Sequence, residues 1–258
     1  MKHQSKNSSH IPNGLYEGKI VHISELSEEH TGRRCGCYCP VCGTRMLAKS
    51  INGKYTAHFA HEHNISECSL AAETGIHLKA KEIISENLSL LLPTLVVGAS
   101  VTIGELEYSD SCYVVKQKRN FLFEEARIEE WRGSYRPDLV VMKGGRELLV
   151  EIKVTHEVDD EKRAKIKKDR ISSLEINLSK IDRMSTPKDI QSAVEVIDNL
   201  SWVFHSKTGE AHEELKKNML ANANFYLEEQ RQERDDRNKR NREAKAAREI
   251  ERKKEKAL

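Results

Sequence analysis

The chain has 258 residues, a net charge of +2, 33% charged side chains and only 5% aromatic ones. That is length enough for one good-sized core with appendages, while the near-neutral balance declares no overall attraction to nucleic acid, so any basic surface must be local. No apolar run approaches the roughly 20 residues of a membrane helix, and the polar start MKHQSKNSSH lacks the apolar heart of a signal peptide, so a soluble, cytoplasmic protein is expected.

Residues 1–14 are polar and end in Pro12-Asn13-Gly14, and the start of the chain, 1–15, is expected to be disordered; residues 16–26, YEGKIVHISEL, partly alternate apolar and polar side chains, as a half-buried strand does. Four of the six cysteines fall between positions 35 and 42, which suits a metal better than a framework of disulfides. Cys39 and Cys42 form a CPVCG knuckle, whose glycine allows the tight turn that aims both sulfurs at one ion. A tetrahedral zinc needs two further ligands, and His58, His61, His63 and Cys68 follow. The expected set is Cys39, Cys42, His61 and Cys68, with His58 or Cys37 as the main substitutes, in a structural zinc module spanning 16–70. A metal would compensate for the small core of so short a module.

A helical pattern opens at Glu73, ETGIHLKAKEIISENLSLLL, with Ile76, Ala80 and Ile83 along one line and Leu88, Leu91 and Leu92 closing it before Pro93. Glu73, His77 and Lys81 recur every four residues and stack at the edge of the apolar stripe. Glu73 and His77 are candidates for a site, whereas Lys81 reads as part of a salt-bridged helix face. Strand-like TLVVGASVTI, YVVKQKR and FLFEEARIEEW come next.

The stretch RPDLVVMKGGRELLVEIK, residues 136–153, reads as a β-hairpin with Gly144-Gly145 at its turn. Alternation sends Leu148, Val150, Ile152 and Val154 to one face and Glu151 and Lys153 to the other. Asp138 heads the partner strand. Two carboxylates on adjacent strands with a lysine two residues beyond form a layout for a hard divalent cation, Mg²⁺ or Mn²⁺, held against a phosphate. The carbonyl of Ile152 is a further ligand candidate, and Arg136, two residues before Asp138 on the same strand face, is placed to contact a phosphate of DNA. The chain continues with a helix starting near 158 or 159, acidic first and basic last. A strand LEINLS, a helix opened by Thr186-Pro187 and a short strand SWVFHS complete a mixed α/β sheet with a helix on each face. Residues 207–258 read as a long, charged, largely solvated helix without a sustained heptad seam, open to contacts with nucleic acid or with recombination or defence proteins.

Taken in order, CPVCG, HFAH, a cysteine, ETGIHLKAKEII, RPDLVV, EIKVTHEVDDEK and LEINLS resemble the competence protein CoiA-like group, within the PD-(D/E)XK nuclease superfamily. The resemblance covers about residues 16–206. It implies a restriction-endonuclease-like domain at 71–206 behind a zinc-finger-like module. It further implies that Glu73 and His77 match a glutamate and histidine of the family's helix, that Asp138, Glu151 and Lys153 match its catalytic core, and that His156 matches a family position. The activity implied is metal-dependent cleavage of DNA, in DNA uptake and recombination or in defence against foreign DNA. A non-catalytic, DNA-binding accessory protein of recombination is the alternative.

Overall fold

The structure is a computed structural model that describes residues 10–63, 68, 70–104, 106–116, 118–155 and 159–255. Two short hairpins open it: β1 (Asn13–Tyr16) pairs with β2 (Lys19–His22), and β3 (Met46–Lys49) with β4 (His58–His61). The single strand expected over 16–26 is therefore two strands and a 3₁₀ turn, because Glu17 and Gly18, both at positive φ, reverse the chain. Order begins earlier than position 16. Ile11 and Asn13 are buried, and Ile11 bridges to Phe59. Around Phe59 the module gathers Ile11, Ile23, Cys35, Cys37 and Met46, together with Ala71 from the helix that follows.

That helix, α1 (Ala71–Asn87), stops before the expected Pro93: Leu88 adopts φ 48° and donates its N–H to Ile84 O at 3.1 Å. The next residues, Ser89–Leu92, form strand β5. A run of leucines carries no period of its own, and here Leu90 and Leu92 turn inward while the backbone pairs antiparallel with a later strand. β6 (Leu95–Ile103) and β7 (Leu106–Val115) pair with each other, β8 (Lys118–Leu122) is the partner of β5, and β9 (Glu125–Ile128) enters the main sheet.

The expected hairpin is β10 (Leu139–Lys143) and β11 (Arg146–Lys153), joined through Gly144 and Gly145 at φ 54° and 71°, the left-handed pair a tight two-residue turn demands. Both strands are buried on both faces, which is why they read as nearly continuous apolar runs. α2 (Asp160–Asp169) starts from an Asp159 cap and leads to β12 (Ser173–Asn177), parallel to β11. α3 (Pro187–Val194) follows the Thr186 cap, and β13 (Leu200–Phe204) closes a five-stranded mixed sheet in the order β13-β12-β11-β10-β9. Ile76, Ala80 and Ile84 of α1 and Ile190 and Val194 of α3 pack on the face carrying Leu139, Val141, Leu148, Val150 and Ile152. Ile166 of α2 packs on the opposite face, against Val140 and Leu149. Glu151 and Lys153, alternating with Val150 and Ile152, therefore lie on the α2 face.

The chain divides into two compact units otherwise than at the expected boundaries. The N-terminal module shares one unit with the sheet, through Leu95 and again from Val115 to Ser206. The second unit is the hairpin Val96–Val114 with the C-terminal helix α4 (Thr208–Glu255), in which Ala99, Leu215 and Met219 form a small core against Val101 and Cys112. Among the described residues there are four α-helices, and none is long and apolar enough to cross a membrane.

Candidate functional site

The N-terminal module brings Cys39, Cys42, His61 and Cys68 together, with one ligand atom from each within 4.8 Å of all the others. Cys39 Sγ lies 3.5 Å from Cys68 Sγ, and Cys42 Sγ 3.4 Å from His61 Nε2. A tetrahedron with zinc–sulfur bonds near 2.3 Å and zinc–nitrogen bonds near 2.0 Å has edges of roughly 3.5–3.8 Å, so the cluster could hold a zinc ion with little adjustment. Three elements converge to build it. The knuckle turns at Gly43, φ 67°, with Gly43 N–H bonded to Cys39 O; β4 presents His61; Cys68 sits just ahead of α1. Burial pulls Cys42 upward, but hydrogen bonds from Thr44, then Cys68 and Cys39, outweigh it and bring the thiol down to about 6; burial, then hydrogen bonds with and charge on Cys39 and Cys42, push Cys68 up to about 12. Neither expected substitute takes part. Cys37 is fully buried and bonds Cys35 O at 3.3 Å, and His58 Nδ1 is engaged with Thr56 O at 2.9 Å while its ring lies against His10.

The second candidate site lies where the β10–β11 ladder ends. The last pair is Leu139 with Val150, so the next residues in register are Asp138 and Glu151. Pro137 precedes Asp138 and starts no further pairing; the Ile152 N–H left over at this edge is taken by Asp138 Oδ2 at 2.8 Å. The same oxygen lies 2.9 Å from His77 Nε2, and Oδ1 is 3.5 Å from Lys81 Nζ. Burial works against ionisation of Asp138, yet His77, then Lys81 and the Ile152 N–H, hold its carboxyl below the usual range. Glu151, only 3% exposed, behaves in the opposite way: burial, opposed by Lys162 of α2 and aided by the nearby charge of Asp138, brings it up to about 7. Lys162 Nζ contacts Glu151 Oε2 at 2.6 Å, whereas Glu151 Oε1 is buried with no hydrogen-bond partner.

The two carboxylates thus sense each other but are held by different helices, Asp138 by α1 and Glu151 by α2. Lys153 ends β11 on the same strand face as Glu151, and its carbonyl accepts the Leu178 N–H at 2.7 Å. Glu73 accepts from Thr155 Oγ1 and pairs with Arg183, both at 2.5 Å. With His77, Ile152 and Val154 it lines a cavity of about 250 Å³ on the α1 side. Arg136 precedes β10 instead of lying on it, so the expected shared strand face with Asp138 does not exist; its guanidinium pairs with Glu129 at 3.1 Å and covers the Trp131 ring. His156 lies outside the described residues.

Three participants escaped sequence reasoning. Lys81, expected on an ordinary salt-bridged face, is 2% exposed and wedged between Glu129, at 2.6 Å, and Asp138. Lys162 is one of several bases in a charged helix, with no sequence mark to single it out. Glu175 is in register with Glu151 across the parallel pair and is buried, so two acids stand side by side on adjacent strands, with Asp138 just ahead of β10. Its one signal was a polar residue inside the apolar strand SLEIN. Among the described residues the Cys39–Cys68 group is the one cluster of three or more such ligands close enough to share an ion.

No family model, no curated protein and no solved structure matches this chain.

Proposed function

We propose that the chain is a metal-dependent deoxyribonuclease of the PD-(D/E)XK type, related to the CoiA-like proteins, that hydrolyses phosphodiester bonds. The observation that carries this reading is the Asp138–Glu151 pair, next in register beyond the end of the β10–β11 ladder, with one buried Glu151 oxygen lacking a donor. The order helix, strands, helix, strand on a mixed sheet with helices on both faces supports a restriction-endonuclease-like fold. Asp138 and Glu151 would hold Mg²⁺ or Mn²⁺, with the Ile152 carbonyl as a third candidate. The donor set fits, since Mg²⁺ is usually bound by one or two carboxylates, with waters and substrate phosphates completing its shell. When bound, the ion supplies Lewis acidity and positive charge at the phosphate.

The chain's own residues do the remainder. His77 and Lys81 keep Asp138 ionised and oriented. Lys153 is assigned the stabilisation of charge on the attacking or leaving oxygen, the usual task of a fixed cation beside a reacting phosphate. Glu73, steadied by Arg183 and Thr155 at the rim of the cavity, is assigned the positioning of a water.

A second reading, a non-catalytic DNA-binding protein, draws on one observation: each carboxylate already faces a lysine, Asp138 with Lys81 and Glu151 with Lys162. Incubation of the purified protein with plasmid or branched DNA and Mg²⁺ or Mn²⁺ separates the two. Cleavage that disappears in both Asp138→Ala and Lys153→Ala, each still folded, is the expected result. Cutting that survives both changes, or none at all with either metal, overturns the nuclease reading.

A further inference from the structure

The turn leading into Asp138 presents a large aromatic ring to solvent. Trp131 is 66% exposed, an unusual position for a side chain of its size. The turn beneath it is fixed: Arg132 donates to both carboxylate oxygens of Glu147, at 2.9 and 2.6 Å, and its backbone N–H bonds Tyr135 O at 2.8 Å. The Arg136 guanidinium lies 5.6 Å from the indole centroid. From there a continuous chain of ion pairs runs inward, Arg136 to Glu129, Glu129 to Lys81 and Lys81 to Asp138, at 3.1, 2.6 and 3.5 Å. The indole is thereby tied to the carboxylate centre.

Beside Trp131 opens a groove of about 670 Å³, lined by Lys165 and Lys168 of α2 and, with opposite sign, by Glu130 and Asp169. Lys165 donates to Ser134 O at 3.3 Å and pairs with Glu161, which is largely exposed, at 2.6 Å. An exposed pair of that kind contributes little and exchanges readily for a phosphate. Lys162, Lys165 and Lys168 follow one another at intervals of three along α2, and a rise of about 1.5 Å per residue separates the first and last by about 9 Å. The first of them contacts Glu151 and the last lines the groove. Phosphate-attracting charge therefore extends from the centre outward to the ring. In a duplex the base faces are stacked away, so a fixed, exposed indole with cations alongside favours a strand with an unpaired base.

We propose that this groove binds single-stranded nucleic acid, with one base stacked on Trp131 and the backbone along Lys165 and Lys168. The strand is thereby led toward the Asp138–Glu151 pair; this destination rests on the nuclease reading, while the binding itself does not. The test is a titration in magnesium-free buffer, following tryptophan fluorescence against a short oligothymidylate, an oligouridylate and a blunt hairpin duplex. Quenching by at least one of the single strands is expected in the wild type and in Trp202→Phe. It should be absent in Trp131→Ala, and the anisotropy of a dye-labelled strand, which reports binding in every variant, should show affinity about tenfold weaker. Lys165→Ala and Lys168→Ala should each reduce the salt dependence, by about 0.7 in log–log slope for every phosphate no longer neutralised. Equal affinity in Trp131→Ala, or equal quenching by the duplex, overturns the proposal. Quenching by a single strand without cleavage after Mg²⁺ is added would support it while removing the nuclease reading. Cleavage combined with unchanged single-strand binding in Trp131→Ala would do the reverse.

Discussion

Replacing Glu151 by Gln should remove a specific pH dependence from the stability of the fold. Burial, of which Lys162 offsets only part and to which the Asp138 charge adds, raises the Glu151 carboxyl from 4.5 to about 7. A group that binds its proton more tightly in the folded chain holds more protons there than in the unfolded chain, so stability falls as pH increases. The contribution is fully present below pH 4.5 and is lost as pH rises through about 7. At about 1.4 kcal/mol per pKa unit, the whole shift amounts to on the order of 3 kcal/mol. Urea unfolding of wild type and Glu151→Gln on both sides of this window isolates the effect, because glutamine has no proton to release and the pull of Lys162 on the ionised carboxylate is already contained in the net shift. The difference between wild type and variant should drop by that amount across the window. Chelators are left out, so that any zinc held by the cysteine cluster stays in place. A difference that stays flat from pH 4.5 to above 7 would refute the claim that Glu151 is an acid whose ionisation the fold resists.

Two further outcomes follow from the packing. Cys39→Ser and Cys68→Ser should each abolish zinc retention measured by elemental analysis, whereas Cys37→Ser should keep one zinc per chain, because its sulfur lies outside the cluster. Gly75→Ala should lower the melting temperature although alanine is the better helix former by about 1 kcal/mol. The new methyl would meet Asn13 Cβ at 2.6 Å, where β1 crosses the helix, and overpacking of this kind costs about 1–3 kcal/mol; a higher melting temperature would show that the module does not press on α1 as described.

Elements with local punctuation were legible in the sequence. The Gly144-Gly145 turn between two apolar runs, the Asp159 cap and the Thr186-Pro187 start each fix a boundary through backbone chemistry alone. The failures share a cause. Ser89–Leu92 is a strand because β8, some thirty residues on, offers it a ladder, and four apolar or small residues in a row contain no sign of that partner. The first turns of α4 were read as solvated because Leu215 and Met219 are sparse along the chain; the surface they need belongs to the hairpin at 96–114.

The site divides along the same line. Cys39, Cys42, His61 and Cys68 could be chosen from spacing because a zinc site constrains the chain over short distances, and the structure places that set together. Asp138 and Glu151 stood out because an acid inside a buried apolar strand needs a reason. The side chains that make such acids tolerable could not stand out. Lys81 is buried only because Glu129, held at φ 53° where the chain leaves β9, turns back toward α1, and Lys162 reaches Glu151 only because α2 crosses the sheet face that Glu151 occupies. A buried carboxylate pair is costly without nearby cations, so two acids in buried strands imply two cations beside them. Sequence can pose that requirement, but the residues that meet it are selected by how the helices cross the sheet.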